Sequence, residues 1–235
     1  MLNDNLWYAI YTALGLSAIS SGILAFQKKE YRYFGLFSLL CIYIIWHETY
    51  TEILLRRKQK IGWLSNIEEV IEYTTLITIQ AIICKQKIVK KIMFLVAILF
   101  LLFCIYRYNF VISIKKTQSL NFNIGSITTI LCCFYGLTQI LLGLKDVPLQ
   151  KQPNLLFTIA IVFFLGTTFI IHSSYSLLKG LPRPFLNNIT TFLYISYALT
   201  YFIHTWAFCT QIDFYKLHPK RWFEKYFKTQ KVPFK

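Results

Sequence analysis

The sequence predicts an all-α, polytopic membrane protein with seven transmembrane helices in an N-out, C-in orientation, followed by a short interfacial amphipathic helix. Two observations support this fold class. Of 235 residues, 56% are hydrophobic and 15% are charged, whereas a soluble domain carries about 25% charged residues. The chain also contains seven apolar runs of 18 to 26 residues, and a run of about 18 already suggests a membrane span. A soluble enzyme, a disordered chain and a disulfide scaffold are excluded.

Each apolar run is expected to be a continuous helix, because bare backbone cannot face lipid. The predicted spans are 6–26, 33–55, 67–84, 92–112, 123–144, 154–178 and 186–211. All six prolines lie outside these runs. The first run is expected to stay in the protein as helix one, because its leader contains Asp4 and no Lys or Arg, unlike a signal peptide. Residues 1–211 therefore form a transmembrane domain and residues 212–235 a basic, aromatic cytoplasmic tail.

The distribution of Lys and Arg predicts the orientation. With the N-terminus outside, the inner segments carry 16 of the 25 basic residues and the outer segments carry 9, in agreement with the positive-inside rule. The net charge of +15 is attributed to residues that flank helices and contact anionic headgroups, rather than to nucleic-acid binding. The predicted location is the plasma membrane, in a bacterium the inner membrane.

The tail contains an amphipathic segment. At helical spacing, one face carries the aromatic residues Trp222, Phe223, Tyr226 and Phe227. The other face is mainly basic, with Lys220, Arg221, Lys225 and Lys228. Such a helix lies in the membrane surface and binds anionic lipids. A docking face for a cytoplasmic protein partner, or for self-association, is the alternative.

Ionisable side chains within the spans mark the candidate site, because each costs several kcal/mol in a bilayer and usually faces the bundle interior. At 1.5 Å per residue, five of them fall in the outer half of the membrane: Glu48, Glu52, Glu72, Arg107 and His172. A milder inner polar layer comprises Gln80, Gln139 and His204. Two readings stay open for the outer group, a ligand or ion pocket and a structural hydrogen-bond network.

Several side chains near the outer ends of the spans have a simpler explanation. Glu68 and Glu69 are expected to reach the outer headgroups, and Glu52 and Arg107 have the same alternative. Within the outer group, Glu48 and Glu52 lie one helical turn apart, so their repulsion either favours the protonated form of one carboxyl group or calls for a cation between them.

Known catalytic and metal-binding spacings are missing from the sequence. There is no Glu-x-x-His pair, no H-E-x-x-H and no P-loop, so no cofactor is expected. A metal held by His47, Glu48 and Glu72 stays open, although adjacent residues diverge by about 100° around a helix. The six cysteines all fall within spans and are expected to be free thiols.

The segment WLSNIEEVIEYTTLITI, together with Asn121-Phe122-Asn123 and the late run FLNNITTFLYISYALTYFIHTWAFC, resembles a family of seven-span bacterial inner-membrane proteins. That family has an aromatic-x-x-x-Glu-aromatic pattern in helix three, matched here at Glu72-Tyr73, with Glu68 in place of the first aromatic residue. The resemblance implies a seven-helix fold and no specific activity.

Three functions are compatible with these features. The leading hypothesis is a non-enzymatic membrane module that senses a small ligand or cation in an outward-facing polar pocket and signals through its basic cytoplasmic surface. The second is an oligomeric pore with a carboxylate-lined path, helped by the small residues Gly15, Ala18, Gly22 and Ala25 of helix one. The third is an intramembrane enzyme acting on lipid, with Glu48 or Glu72 as base and His172 nearby.

Overall fold

The computed structural model describes residues 4–59, 61–111, 119–143, 152–173 and 182–213. This part of the chain is all-helical, as predicted, and forms seven long helices without strands. The helices are α1 Asp4–Gln27, α2 Phe34–Arg56, α3 Gly62–Ile83, α4 Lys87–Tyr106, α5 Ser119–Leu142, α6 Pro153–Ser173 and α7 Arg183–Cys209. The interfacial helix predicted in the tail lies outside the described residues.

Most helix ends lie within three residues of the predicted ones, but α4 ends at Tyr106 instead of residue 112, and residues 174–178 of the predicted sixth span lie outside the described residues. Helices α3, α4 and α5 begin four or five residues before the apolar run. Polar residues are among their first residues, and hydropathy marks only the apolar part of a helix, so it does not show where the helix begins. In α7 a proline stands in the first turn, where its missing N–H leaves no hydrogen bond unmade. Beyond α4 the chain continues as a π-helical turn, Arg107–Val111.

Four of the helices are long and apolar enough to cross a membrane. They are the segments Leu6–Gln27, Lys87–Val111, Leu120–Leu142 and Pro153–Ile171. Large apolar side chains such as Ile19, Leu39 and Leu99 are exposed on the outside of the bundle, as a lipid-facing surface requires. The structure is thus compatible with a membrane location, while seven spans and the N-out orientation stay predictions.

Six helices form a closed ring. Following the contacts around it, α1 packs on α2, α2 on α3, α3 on α5, α5 on α6, α6 on α7, and α7 returns to α1. The remaining helix, α4, packs outside the ring against α3. The side chains inside the ring differ between its two ends.

One end is filled by aromatic side chains. The rings of Phe37 and Phe157 meet edge-to-face with centroids 4.9 Å apart, and Phe34 lies 4.6 Å from Phe208. Edge-to-face packing of this kind adds about 0.5–1.5 kcal/mol per pair beyond the area buried. This end contains the C-terminal part of α1 and the N-terminal part of α2, so the aromatic packing fixes the helices below the candidate site.

Small residues of α1 pack against α2 of the same chain. The Ser38 hydroxyl donates a hydrogen bond to the Ala18 carbonyl oxygen (2.7 Å), and a Cβ added at Gly22 would lie 3.1 Å from the Ser38 oxygen. These positions therefore serve the fold of one chain. All six cysteines are free thiols.

Candidate acidic cavity

The end of the ring that contains the N-terminal half of α1 encloses a cavity of about 410 Å³. Side chains from all six ring helices line it, and its volume is in the range of small-molecule sites. Four of the lining side chains are carboxylates: Glu48 of α2, and Glu68, Glu69 and Glu72 of α3. We call this space the acidic cavity.

The three carboxylates of α3 share one face of the helix. Glu68, Glu69 and Glu72 come three, four and seven residues after Ser65, offsets that bring side chains to one face of a helix, and all four line the cavity. The expectation that Glu68 and Glu69 extend to the headgroups is therefore corrected. Both side chains turn into the bundle and are half-buried, because contacts of α3 with α2 and α5 direct this face inward.

The charges in the cavity are of one sign. Of the described residues that line it, none is a Lys or Arg. The carboxyl group of Glu68 interacts electrostatically with Glu48, Glu72 and Glu69, and that of Glu72 interacts with Glu48. Carboxylates this close repel one another at low dielectric, so the cavity favours a positively charged occupant.

Aromatic rings from α1, α5, α6 and α7 also line the cavity, and we call them the aromatic wall. Trp7 of α1 packs against Tyr194 of α7 with ring centroids 5.3 Å apart. Phe164 of α6 meets Tyr197 edge-to-face at 5.0 Å, and Phe122 of α5 completes the lining. The negative faces of such rings attract cations within about 6 Å. The wall and the carboxylates thus favour the same kind of ligand.

A buried histidine adjoins the acidic cavity. His47 of α2 is only 2% exposed, and its Nδ1 lies 3.1 Å from Oε2 of Glu68. Neither ring nitrogen makes a hydrogen bond of acceptable geometry within the described structure. The backbone of Leu64 is nevertheless close enough to interact with the ring. Nitrogen and oxygen atoms of His47, Glu48 and Glu68 all lie within 4.8 Å of one another.

Of the predicted outer group, the structure brings Glu48 and Glu72 together in the cavity. Glu52 lies outside it, exposed and paired with Arg56 one turn away. The predicted proximity of Glu48 and Glu52 therefore creates no shared site, since the two side chains have different surroundings. The backbone of His172 belongs to α6, and its side chain is outside the described structure.

Arg107 is buried beside the cavity instead of lining it. Its Nη1 donates to Oδ1 of Asn121 (2.9 Å), which links the end of α4 to the start of α5. Arg107 and Glu69 both act electrostatically on Cys104 and Tyr108. Arg107 thus shares these two neighbours with Glu69, one of the four carboxylates that line the cavity.

The predicted inner polar layer is spread over several contacts. Gln80 of α3 shares hydrogen bonds with Thr158 of α6 at 3.3 and 3.4 Å. His204 of α7 lies 3.3 Å from the carbonyl oxygen of Phe157. Gln139 lines a separate cavity of about 180 Å³. Two of these side chains hold α3 and α7 against α6, which is a structural role.

Sequence reasoning missed three parts of the cavity lining: Glu68, Glu69 and the aromatic wall. The spacing of Ser65, Glu68, Glu69 and Glu72 was a signal for the first two, because a polar stripe on a helix seldom faces lipid. The aromatic wall had no signal in the sequence, since its rings come from four helices far apart in the chain.

Comparisons with protein-family profiles, with curated proteins and with solved structures give no match. The site is therefore interpreted from its residues alone, and the resemblance to a seven-span bacterial family stays a prediction.

Proposed function

We propose that the chain is an integral membrane protein that binds a small, positively charged ligand in the acidic cavity and acts as a ligand-sensing module. One observation carries the proposal: four carboxylates and a wall of aromatic rings surround one 410 Å³ cavity, and its described lining contains no Lys or Arg. An organic ammonium group is the simplest ligand that interacts favourably with both the carboxylates and the aromatic wall, since it pairs with carboxylates and sits over aromatic faces.

Glu72 is the carboxylate best placed to hold the ligand. It lies on the stripe of α3 next to Tyr73, which also lines the cavity, and near Glu48 across the α2–α3 contact. Charge attraction in a partly buried site is stronger than at a fully exposed surface. Loss of this carboxylate should therefore weaken binding more than loss of an exposed one.

Charge at the opposite end of the bundle supports an outward-facing cavity. Seven described basic residues lie at that end: Lys28, Lys29, Arg32, Lys85, Lys87, Lys90 and Lys91. By the positive-inside rule this end is cytoplasmic, and the predicted tail adds to its charge. In the proposed function the basic surface contacts anionic lipids or a cytoplasmic partner, and the cavity receives its ligand from outside.

Packing below the acidic cavity favours a binding module over a pore within one chain. Phe34, Phe37, Phe157 and Phe208 occupy the other end of the ring with almost no exposed surface. An ion path through the ring would have to pass this aromatic cluster. A dead-end cavity instead fits a site that a ligand enters and leaves from one side.

The test is a thermal unfolding measurement on the purified, detergent-solubilised chain. We expect choline to raise the melting temperature, while its neutral isostere 3,3-dimethylbutan-1-ol does not. Saturation at 100 times Kd would add about 2.7 kcal/mol to the free energy of unfolding. The Glu72→Gln variant should lose this response, and Glu52→Gln, the same substitution outside the cavity, should keep it.

Two results would refute the proposal. One is an equal response to choline and its neutral isostere, which would show that charge plays no role. The other is an equal loss of response in Glu72→Gln and Glu52→Gln, which would place the effect outside the cavity.

A further inference from the structure

We propose that His47, Glu48 and Glu68 form a binding site for one divalent transition-metal ion at the wall of the acidic cavity. This inference rests on the proposed function, because the metal would be part of the same cavity. Within the described residues, these three offer one nitrogen and two carboxylate oxygens, all within 4.8 Å of one another.

The geometry needs only a small adjustment to hold a metal. Four-coordinate Zn²⁺ has bonds of about 2.0–2.2 Å, which place its ligand atoms about 3.4 Å apart. The distance between His47 Nδ1 and Glu68 Oε2 is already 3.1 Å. Glu48 completes the group through its flexible side chain, which explains how a residue adjacent to His47 can reach the same point despite the divergence of neighbouring positions on a helix.

His47 provides the second, independent observation. The side chain is buried, 2% exposed, and neither nitrogen has a hydrogen-bond partner of proper geometry among the described residues. A metal ion between His47 Nδ1 and Glu68 Oε2, which lie 3.1 Å apart, would give the buried imidazole a bond of proper geometry, which it lacks within the described residues.

The charge balance also fits a divalent ion. Two carboxylates and a neutral imidazole carry a charge of −2, which a 2+ ion offsets. The mixture of imidazole and carboxylate suits Zn²⁺ and its first-row neighbours better than Mg²⁺ or Ca²⁺, which prefer oxygen ligands alone. Glu72 then remains for the organic cation.

The position relative to the cavity suggests what the metal would do. Glu48 and Glu68 line the cavity, whereas His47 lies behind them and is not among the described lining residues. Three protein ligands leave a fourth position for water or an exogenous ligand. That position would face the cavity, so the metal would present a Lewis-acidic contact to the bound molecule.

The experiment measures metal binding by the full chain after chelator treatment and detergent exchange. Equilibrium dialysis against ZnCl₂ with elemental analysis should give one tightly bound Zn²⁺ per chain. His47→Gln should weaken binding by roughly 100-fold or more, because even residues that only orient a metal ligand contribute 10–100-fold. His204→Gln is the matched control, since His204 is equally buried at 2% and packs among the rings of Phe37 and Phe157.

Two further measurements keep the test decisive. If His47→Gln does not fold, Glu68→Gln replaces it, with the same expected loss and with Glu52→Gln as its control. Co²⁺ bound in place of Zn²⁺ should give a visible spectrum without a thiolate charge-transfer band, because none of the three ligands is a cysteine. A thiolate band would overturn the assignment, as would Zn²⁺ binding that His47→Gln and His204→Gln reduce equally.

The choline response separates failure of this inference from failure of the proposed function. Absence of Zn²⁺ binding with an intact choline response overturns the metal site and leaves the ligand-binding function in place. Absence of both overturns both. A His47→Gln variant that loses Zn²⁺ and still responds to choline supports the metal site as a separate part of the cavity.

Discussion

The contact between Gly125 of α5 and Tyr73 of α3 allows a precise prediction about the packing of these two helices beside the acidic cavity. A Cβ built at Gly125 would lie 2.3 Å from Cδ2 of Tyr73. The tyrosine is 1% exposed, and its hydroxyl shares a hydrogen bond with the Ser126 hydroxyl at 2.9 Å. The substitution Gly125→Ala therefore forces the ring or the helix to move.

The expected cost follows from these contacts. Ordinary van der Waals separation begins near 3.4 Å, so the two groups must separate by more than 1 Å. Overpacking of this kind costs about 1–3 kcal/mol. If the ring moves, the hydrogen bond to Ser126 is lost as well, at about 1 kcal/mol. We expect Gly125→Ala to lower the free energy of unfolding by about 2–4 kcal/mol.

The assay is reversible unfolding in detergent or bicelles, with Gly15→Ala as the matched control. A Cβ at Gly15 has no atom within 4 Å, so this variant should be at least as stable as the parent chain. The double variant Gly125→Ala, Tyr73→Leu should recover part of the loss, since contacting residues are coupled. Equal stability of the two single alanine variants would refute the close approach of α3 and α5.

Three further predictions concern polar side chains. Thr158→Val should lower the free energy of unfolding by about 0.5–1.5 kcal/mol, because Gln80, fully buried, loses its partner; chemical denaturation checks this, and an unchanged midpoint would contradict the contact. Glu52→Gln should leave the melting temperature unchanged, because its pairing with Arg56 is exposed and screened by solvent; a clear drop would show that the pair is structural. His204→Phe should lower the free energy of unfolding by about 1–3 kcal/mol, because it removes the contact of Nε2 with the Phe157 carbonyl oxygen (3.3 Å) and puts a larger ring in a buried position; an unchanged midpoint of unfolding would contradict the structural role of this imidazole.

The fold class was accessible from the sequence because hydropathy is a local property. Each apolar run can be recognised without knowing its neighbours, and the described part of the chain is indeed all-helical. The start of α3 at Gly62 instead of residue 67 shows the limit of this signal, since a helix continues through polar residues whose partners lie elsewhere.

The candidate site was accessible only in part. From their depth in the helices, Glu48 and Glu72 were predicted to lie at one level of the membrane, and in the structure both line one cavity. The same calculation predicted Glu52 and Arg107 at this level. The depth of a residue along its helix, however, does not show to which side of the helix its side chain points. Glu52 faces outward to Arg56, and Arg107 bonds to Asn121.

The amino-acid sequence alone determined that this is a helical, membrane-compatible chain and which segments are its helices, because composition and periodicity act within single segments. The tertiary structure decided which polar faces meet. The ring of six helices turns the stripe at Glu68 and Glu72 inward, sets His47 against Glu68, and brings Trp7 and Tyr194 to the same cavity. The rotation of each helix about its axis depends on packing against partners distant in the chain, and for that reason only the folded molecule could define the acidic cavity.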